Sequence, residues 1–562
     1  MKRESSMLWA AAILSFLTGL VFLQDSDYKL TTVRFLLLVA GTVGYNVWLY
    51  FRKAAWEHRR LIVQCSIMGL FTLALIQGIC FLRVGTDEWN HIIVGGTIAL
   101  FLLFAGWCLI CAAWEKGISE NTIALLIFGG FLIRLFYVVL TQAHLMQNDV
   151  ESLAEGKYGH LGYVYQIYTT GRLPQVNPVG HYQFYQPPLH YVICALCMRL
   201  YSFLGIEFSA MDEILQVLPL FYSTVILVLI NMIGKQLKCS LLGRFVAVGI
   251  AAFLPYSIFM GGAINNDVIT TLFMLLCVYF TLKWYENPNM KGILIMALCI
   301  GFAMMGKLSG AMIAPAMGIV MLWKVWKDRK RELMYLKQFV CFGLIAFPLG
   351  LGYSVLKWVQ YRMPFGYVPS VPIGAEQFIG MYTKGQRFAD YAYALENLSL
   401  RWDNKEAVDY NIPISLVKYS VFNELDYYHN NSVTYTLGTI VFWVTLVFFI
   451  LMAAALIAWL FMKEYRTIDK VFFLSGILVI MYAYVNFCFS YPHVCTMNIR
   501  YVMTAVYIGI LVLGAVVSSL ETRIMAKNRS AIKIFSGLAG GIVALYVICS
   551  VLLMINLDML LF

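Results

Sequence analysis

Apolar runs of about 20 residues, parted by short polar links, recur along almost the whole chain and leave it few folds to choose from. In hydrocarbon every backbone N–H and C=O must be satisfied within the segment or by a closed barrel. Period-two alternation is absent, so helices rather than barrel strands are expected. Candidate spans are 7–23, 33–51, 61–82, 92–113, 122–141, 213–233, 244–263, 269–285, 292–305, 309–326, 338–358, 434–462, 470–487, 501–520 and 534–561. The expectation is an all-α polytopic membrane protein of about fifteen helices. With 13% of residues charged against 61% hydrophobic, a soluble domain is excluded. The N-terminal MKRESS precedes an apolar run without a small-x-small cleavage site, so a retained first helix is expected rather than a signal peptide.

Charge decides the topology. The net +11 is gathered in short links and is read as a membrane-orientation signal, not as nucleic-acid binding. Basic links lie at Arg52–Arg60, Lys235–Arg244, Lys324–Lys337 (KVWKDRKRELMYLK), Lys463–Arg466 and Arg523–Lys533. The positive-inside rule puts them all in the cytoplasm. That holds only if 189–203 does not cross, since a crossing there would move the 324–337 cluster outside. This segment is short and carries Arg199, so it is expected to lie flat in the outer interface. Seven of the eight histidines then fall at the outer face, with only His58 in a cytoplasmic link. The thirteen cysteines show no paired spacing, and Cys80, Cys108, Cys111, Cys194, Cys277 and Cys299 fall in apolar runs as small hydrophobes. Residues 1–115, four short-linked helices without polar loops, form an accessory module. Residues 116–562 form the functional membrane domain, with outer loops at 142–212 and 359–433.

The chemistry-bearing residues collect in those outer links. Asp149 and Glu151 follow a membrane helix in QNDVES. A carboxylate there can take the proton of an acceptor hydroxyl, although an interfacial acid ending a helix has the same appearance. Asp267, in AINNDVIT, is either a second site carboxylate or part of a turn built from Asn and Asp for backbone reasons. Lys307 interrupts a long apolar stretch in MMGKLSG, and a lone cation at that depth needs a partner such as a lipid phosphate, or snorkels. Arg500, in NIRYVMT, is a second cation at an outer helix boundary, while His160 in GHLGY is a donor candidate. Gln186 sits in Tyr185-Gln186-Pro187-Pro188, where the prolines stiffen the approach to the 189–203 helix. The Asp149-x-Glu151 pair with nearby histidines is a candidate for a divalent metal, but its spacing matches no defined metal motif and no cofactor is expected.

Taken together, the first outer loop (NDVESL…GHLGYVYQIYTTGRLP…QFYQPPLHY), AINND at 263–267, ALCIGFAMMGKLSGAMIAP at 297–315, DYNIPISLVKYSVFNEL at 409–425 and CTMNIRYV at 495–502 resemble the GT-C superfamily. The resemblance is to its family 39 branch, which holds protein O-mannosyltransferases and the lipid A aminoarabinose transferase, and is closest to bacterial members. It covers about residues 120–562. It implies a GT-C-like core of about eleven helices with juxtamembrane helices, preceded by about four extra ones. The implied activity is inverting transfer of a sugar from a polyprenyl-phosphate donor to a glycan, lipid or protein acceptor at the outer face of the plasma membrane. Asp149 then matches the catalytic acid, Asp267 the acid of the second outer turn, and Lys307 a lysine for lipid phosphate. Asp267, Glu151, His160 and Gln186 orient substrate, Arg500 assists Lys307, and the 359–433 loop covers the site with Lys418. Two departures set the chain apart from protein O-mannosylation. It has Asp149-Val150-Glu151 where that group has adjacent Asp-Glu, and no β-trefoil-sized insert. The rivals are a transporter or lipid-linked-sugar flippase, which needs polar groups along a path across the bilayer, a polymerase or ligase built on arginines and a histidine, and a non-enzymatic scaffold.

Overall fold

The structure, a computed structural model, describes residues 118–141, 143, 159–181, 183–203, 208, 211–369, 375, 377–396, 398, 402–403, 406–407, 409–423 and 432–558. The proposed module at 1–115, and the Asp149 and Glu151 candidates, lie outside the described residues. Apart from a two-residue hairpin, Trp402–Asp403 against Glu406–Ala407, every described element is helical. In chain order they are α1 (Glu120–Leu140), α2 (Gly159–Thr170), α3 (Leu189–Phe203), α4 (Val217–Gln236), α5 (Leu241–Phe253), α6 (Asp267–Glu286) and α7 (Met290–Gly306). Then come α8 (Ala314–Lys327), α9 (Glu332–Tyr361), α10 (Ile412–Phe422), α11 (Ser432–Phe461), α12 (Thr467–Ser490), α13 (Met503–Lys527) and α14 (Arg529–Asp558). Among the described residues nine helices are long and apolar enough to cross a membrane, and α5 and α7 are shorter apolar helices between them. The chain is an all-α multi-pass membrane protein, and each of the eleven spans expected after residue 116 contains a helix among its described residues.

One expected span and one expected loop are less simple than their hydropathy. The 244–263 run breaks at Leu254, whose extended backbone precedes Pro255, the start of a separate helix Pro255–Phe259. Proline has no N–H to continue the ladder and pushes the residue before it out of the helical region. The carbonyl of Ala252, left over at the break, accepts from Arg134 Nη1 at 2.8 Å. The same guanidinium donates to the Gly130 carbonyl and to Ser257 Oγ. Arg134 is fully buried on α1, and its charge is held by this set of oxygens. The 359–433 stretch is likewise not one loop, for it contains α10 and the short helices Gln386–Ala389 and Ala392–Glu396.

The basic links among the described residues meet at one end of the bundle. Glu120 pairs with Arg244 at 2.6 Å and Lys235 at 3.2 Å, Arg466 with Asp469 at 2.8 Å and Glu286 at 3.2 Å, and Arg523 with Glu464 at 3.1 Å. Lys324 and Arg466 both lie over the Tyr285 ring, which brings the 324–337 link to the same place. Ser519 and Arg523 hold the Glu464 carboxyl below its ordinary value. Glu286 ends α6 and Asp267 begins it, so these charges and Asp267 stand at opposite ends of a helix about 30 Å long. α3 is an apolar helix of 15 residues; it buries His190, Tyr191, Cys194, Met198 and Tyr201 and exposes Leu196, Leu200 and Phe203. That two-faced pattern suits the flat placement expected for it.

Small residues set the closest approach in the bundle. A Cβ on Gly243 of α5 would stand 2.2 Å from the Gly514 carbonyl oxygen of α13, so the two backbones touch there. Gly243→Ala should therefore lower the detergent-solubilised melting temperature, with an overpacking cost of about 1–3 kcal/mol. Gly352→Ala, where a Cβ meets no described atom within 4 Å, should leave it unchanged. Equal melting of both variants and wild type would refute the contact.

Candidate active site

The site is built around the end of α7 and the start of α6. α7 stops at Gly306, and Lys307 continues in an extended conformation before the tight turn Leu308–Ile313. Two glycines permit this fold-back. A Cβ on Gly306 would be 2.6 Å from Thr270 Oγ1 on α6, and one on Gly310 would be 2.5 Å from the Ala303 backbone. The motif GKLSG thus lets the chain reverse against α6 and brings Lys307 Nζ to 2.5 Å from Asp267 Oδ1. Asp267 is buried and Lys307 half-buried. Two charges this far from water persist because each neutralises the other.

The three residues of the Asn265-Asn266-Asp267 turn divide the work. Asn265 Oδ1 accepts from the Asp267 backbone N–H at 3.0 Å, which is the local turn chemistry. Asn266 Nδ2 donates to the Gly306 carbonyl at 2.7 Å and to Gln186 Oε1 at 3.3 Å, tying α7 and the first loop to the turn. Asp267 is left to face Lys307. Arg500, from the short turn Ile499–Val502, has its backbone N–H fixed by Asn498 Oδ1 and its Nη2 on the Tyr501 hydroxyl at 3.1 Å. The Tyr501 ring lies under both cations, with Lys307 Nζ 4.9 Å and the Arg500 guanidinium 5.1 Å from its centroid. Lys307 and Arg500 are the cations whose fields reach Asp267, and the His160 ring lies within the same range.

Two cavities meet here. The larger, about 450 Å³, is lined by Tyr185, Gln186, Lys307, Asn486, Tyr491 and Tyr501, among others. The smaller, about 20 Å³, is lined by Asp267, Thr270, Thr271, Arg500 and Tyr501. Ser309, Met312 and Tyr501 line both. The larger space has the size of a ligand pocket and an aromatic, hydroxyl-rich wall, with Lys307 lining it and Asp267 lining the smaller one.

Of the residues singled out in the sequence, Asp267, Lys307, Arg500 and Gln186 converge on these cavities. His160 is buried on α2, its Nδ1 2.9 Å from the Tyr191 hydroxyl, and lies within electrostatic range of Asp267. Lys418 stands apart. It is buried on α10 in an ion pair with Asp409 and lines neither cavity. Tyr501, Asn266 and Tyr191 were not singled out; for Tyr501 the only hint was its place beside Arg500. The metal candidate rests on Asp149 and Glu151, outside the described residues, and no described group of three His, Cys, Asp or Glu is placed to hold an ion.

Residues 185–350 match the family described as dolichyl-phosphate-mannose-protein mannosyltransferase. The matched stretch begins beside Gln186 and carries Asn266, Asp267 and Lys307, but ends before Arg500 and Tyr501. It indicates a glycosyltransferase of the GT-C type working on a lipid-linked sugar. No curated protein matches the chain.

Two outcomes follow from the geometry. Lys307→Met leaves a buried carboxylate uncompensated, a change that costs roughly 3–5 kcal/mol in fully buried pairs and less where, as here, the lysine is partly exposed. The Lys307→Met, Asp267→Asn double variant should recover part of the lost melting temperature; a double variant less stable than Lys307→Met would refute the pairing. His190, on α3 outside the spans, is fully buried, and burial with the nearby His160 pushes its imidazole down to about 3 against the opposing pull of Asp267. The unfolded chain takes up that proton below about pH 6.5, the folded chain only near pH 3. Stability present at neutral pH is therefore lost as pH falls through this window, by up to about 1.4 kcal/mol per pH unit. His190→Gln should flatten the decline between pH 6.5 and 4, measured by thermal unfolding; an unchanged decline would exclude His190 as its source.

Proposed function

We propose that this chain is an inverting glycosyltransferase that moves a hexosyl or pentosyl unit from a polyprenyl-phosphate donor to an acceptor hydroxyl on the extracytoplasmic side of the plasma membrane. The acceptor class is a glycan, a lipid or a protein. The observation that carries the reading is the Asp267–Lys307 pair, with Arg500 beside it, at the edge of a cavity of about 450 Å³. The family match over 185–350 supports the lipid-linked donor. The basic layer at the other end of α6 supports the extracytoplasmic side, since the positive-inside rule turns that layer to the cytoplasm.

In this mechanism Asp149 takes the proton of the acceptor hydroxyl as its oxygen attacks the anomeric carbon. The bond from that carbon to the donor phosphate oxygen breaks, and the electron pair leaves with the polyprenyl phosphate. Lys307 and Arg500 meet the charge that grows on the phosphate, in a site where water screens little. When phosphate arrives, Lys307 exchanges part of its contact with Asp267 for the new anion, and Asp267 becomes available to sugar or acceptor hydroxyls. Gln186 and His160 orient the sugar, Glu151 supports the acceptor, and the tyrosines of the larger cavity offer ring faces to it. Lys418 acts at a distance, holding the Asp409 segment over the outer end through its ion pair. Residues 1–115 are assigned in this reading to an accessory membrane module.

Transfer from a synthetic polyprenyl-phosphate sugar in proteoliposomes tests the roles separately. Asp149→Asn should reduce turnover by about 10²–10⁴-fold with melting temperature and donor binding retained. Lys307→Ala should mainly raise the donor concentration needed for half-maximal rate. Wild-type turnover in Asp149→Asn would remove the base. Vesicle uptake of labelled sugar without transfer would favour the transporter.

A further inference from the structure

A second crevice lies away from the ion pair, between α2 and α3. It encloses about 200 Å³ and is lined by Ile167, Leu173, Val192, Ala195 and Leu196 with two arginines, Arg172 and Arg199. Both arginines are exposed, and among the described residues neither takes part in an ion pair. Arg199 Nη2 has one partner, the Tyr168 carbonyl at 3.3 Å. Two guanidinium groups sharing a small crevice with no acid repel each other unless an anion stands between them. Guanidinium is also the side chain best shaped to take a phosphate oxygen pair.

The apolar part of the crevice says what kind of anion fits. Leu196 lines the crevice and also begins the bare stripe of α3, Leu196, Leu200 and Phe203, exposed to 60%, 42% and 86%. Positions 196, 200 and 203 follow the i, i+4, i+7 spacing of one helix face. Cation and hydrocarbon are therefore continuous on one surface. A soluble anion would use only the arginines, whereas an amphiphile uses both.

We propose that the α2–α3 crevice binds the phosphodiester headgroup of an anionic bilayer phospholipid, with Arg172 and Arg199 on the phosphate and an acyl chain along Leu196, Leu200 and Phe203. This lipid is not the sugar donor, and the site is separate from the cavities at Asp267. Its occupancy anchors α2 and α3 in the leaflet on the Asp267 side. Because α2 carries His160 and the loop before α3 carries Gln186, the lipid holds the first loop in register with the ion pair.

The test uses the full chain in mild non-ionic detergent, titrated with phosphatidylglycerol or phosphatidylcholine and read by native mass spectrometry. Wild type should retain phosphatidylglycerol and release phosphatidylcholine. Each arginine-to-glutamine change should weaken retention about fivefold, matching about 1 kcal/mol per basic residue at an anionic surface. The Arg172→Gln, Arg199→Gln double variant should lose it about 25-fold, with Arg172→Lys, Arg199→Lys holding within about threefold. Leu196→Ser with Phe203→Ser should also weaken retention. Unchanged phosphatidylglycerol binding in the glutamine double variant, equal retention of phosphatidylcholine, or displacement by millimolar inorganic phosphate would each overturn the proposal, the last by making the ligand a soluble anion. None of these readings depends on sugar transfer, so a failed transferase assay leaves the lipid site testable on its own.

Discussion

The contact between Lys307 and Asp267 is the constraint around which one end of the bundle is arranged. Neither charge is stable alone at that depth, and each makes the other tolerable. Meeting requires α7 to end where it does, Gly306 to pass close to Thr270, and Gly310 to fold back on Ala303. It also requires Asn265 to turn the chain into α6 so that its first residue points at the lysine. Asn266 then fastens the first loop to the pair through Gln186. A short apolar reversal would be cheaper to form. The chain instead carries an acid and a base to the rim of a cavity, which is how membrane proteins place chemistry rather than how they close turns.

Arg134 shows the other use of a buried charge in the same fold. Its nitrogens serve carbonyls and a hydroxyl at the break between α5 and the helix that starts at Pro255. No cavity opens onto it among those described, and it faces structure rather than substrate. Lys418 with Asp409 belongs to this class too, buried and paired. Depth in the bundle and a charged head are common to all three cations; Lys307 differs in the cavity beside it.

Much of the architecture was legible in hydropathy and charge. Ten of the eleven runs after residue 116 hold one main helix each among the described residues, and the 244–263 run holds two, because apolar residues in lipid have no other way to satisfy their backbone. The flat reading of 189–203 came from counting basic links, and the segment forms a helix of 15 residues. Asp267, Lys307 and Arg500 stood out because a charge in an apolar stretch is costly enough to need a reason. Tyr501 did not stand out, since tyrosine is at home at a helix boundary and 35 of them occur in the chain. Gln186 and Asn266 were visible as polar residues, but their mutual bond spans 80 positions and follows from no local pattern.

The sequence by itself determined the solvent and the element type, because these depend on composition within single segments. Only the tertiary structure decided which charges are partners. Lys307 takes Asp267, Lys418 takes Asp409, and Arg134 takes backbone oxygens. Those choices are set by helix packing at the level of single ångströms, through glycines that admit a close approach and a proline that frees a carbonyl. A linear pattern carries the residues that make such contacts possible, and the distances between them exist only once the helices have packed.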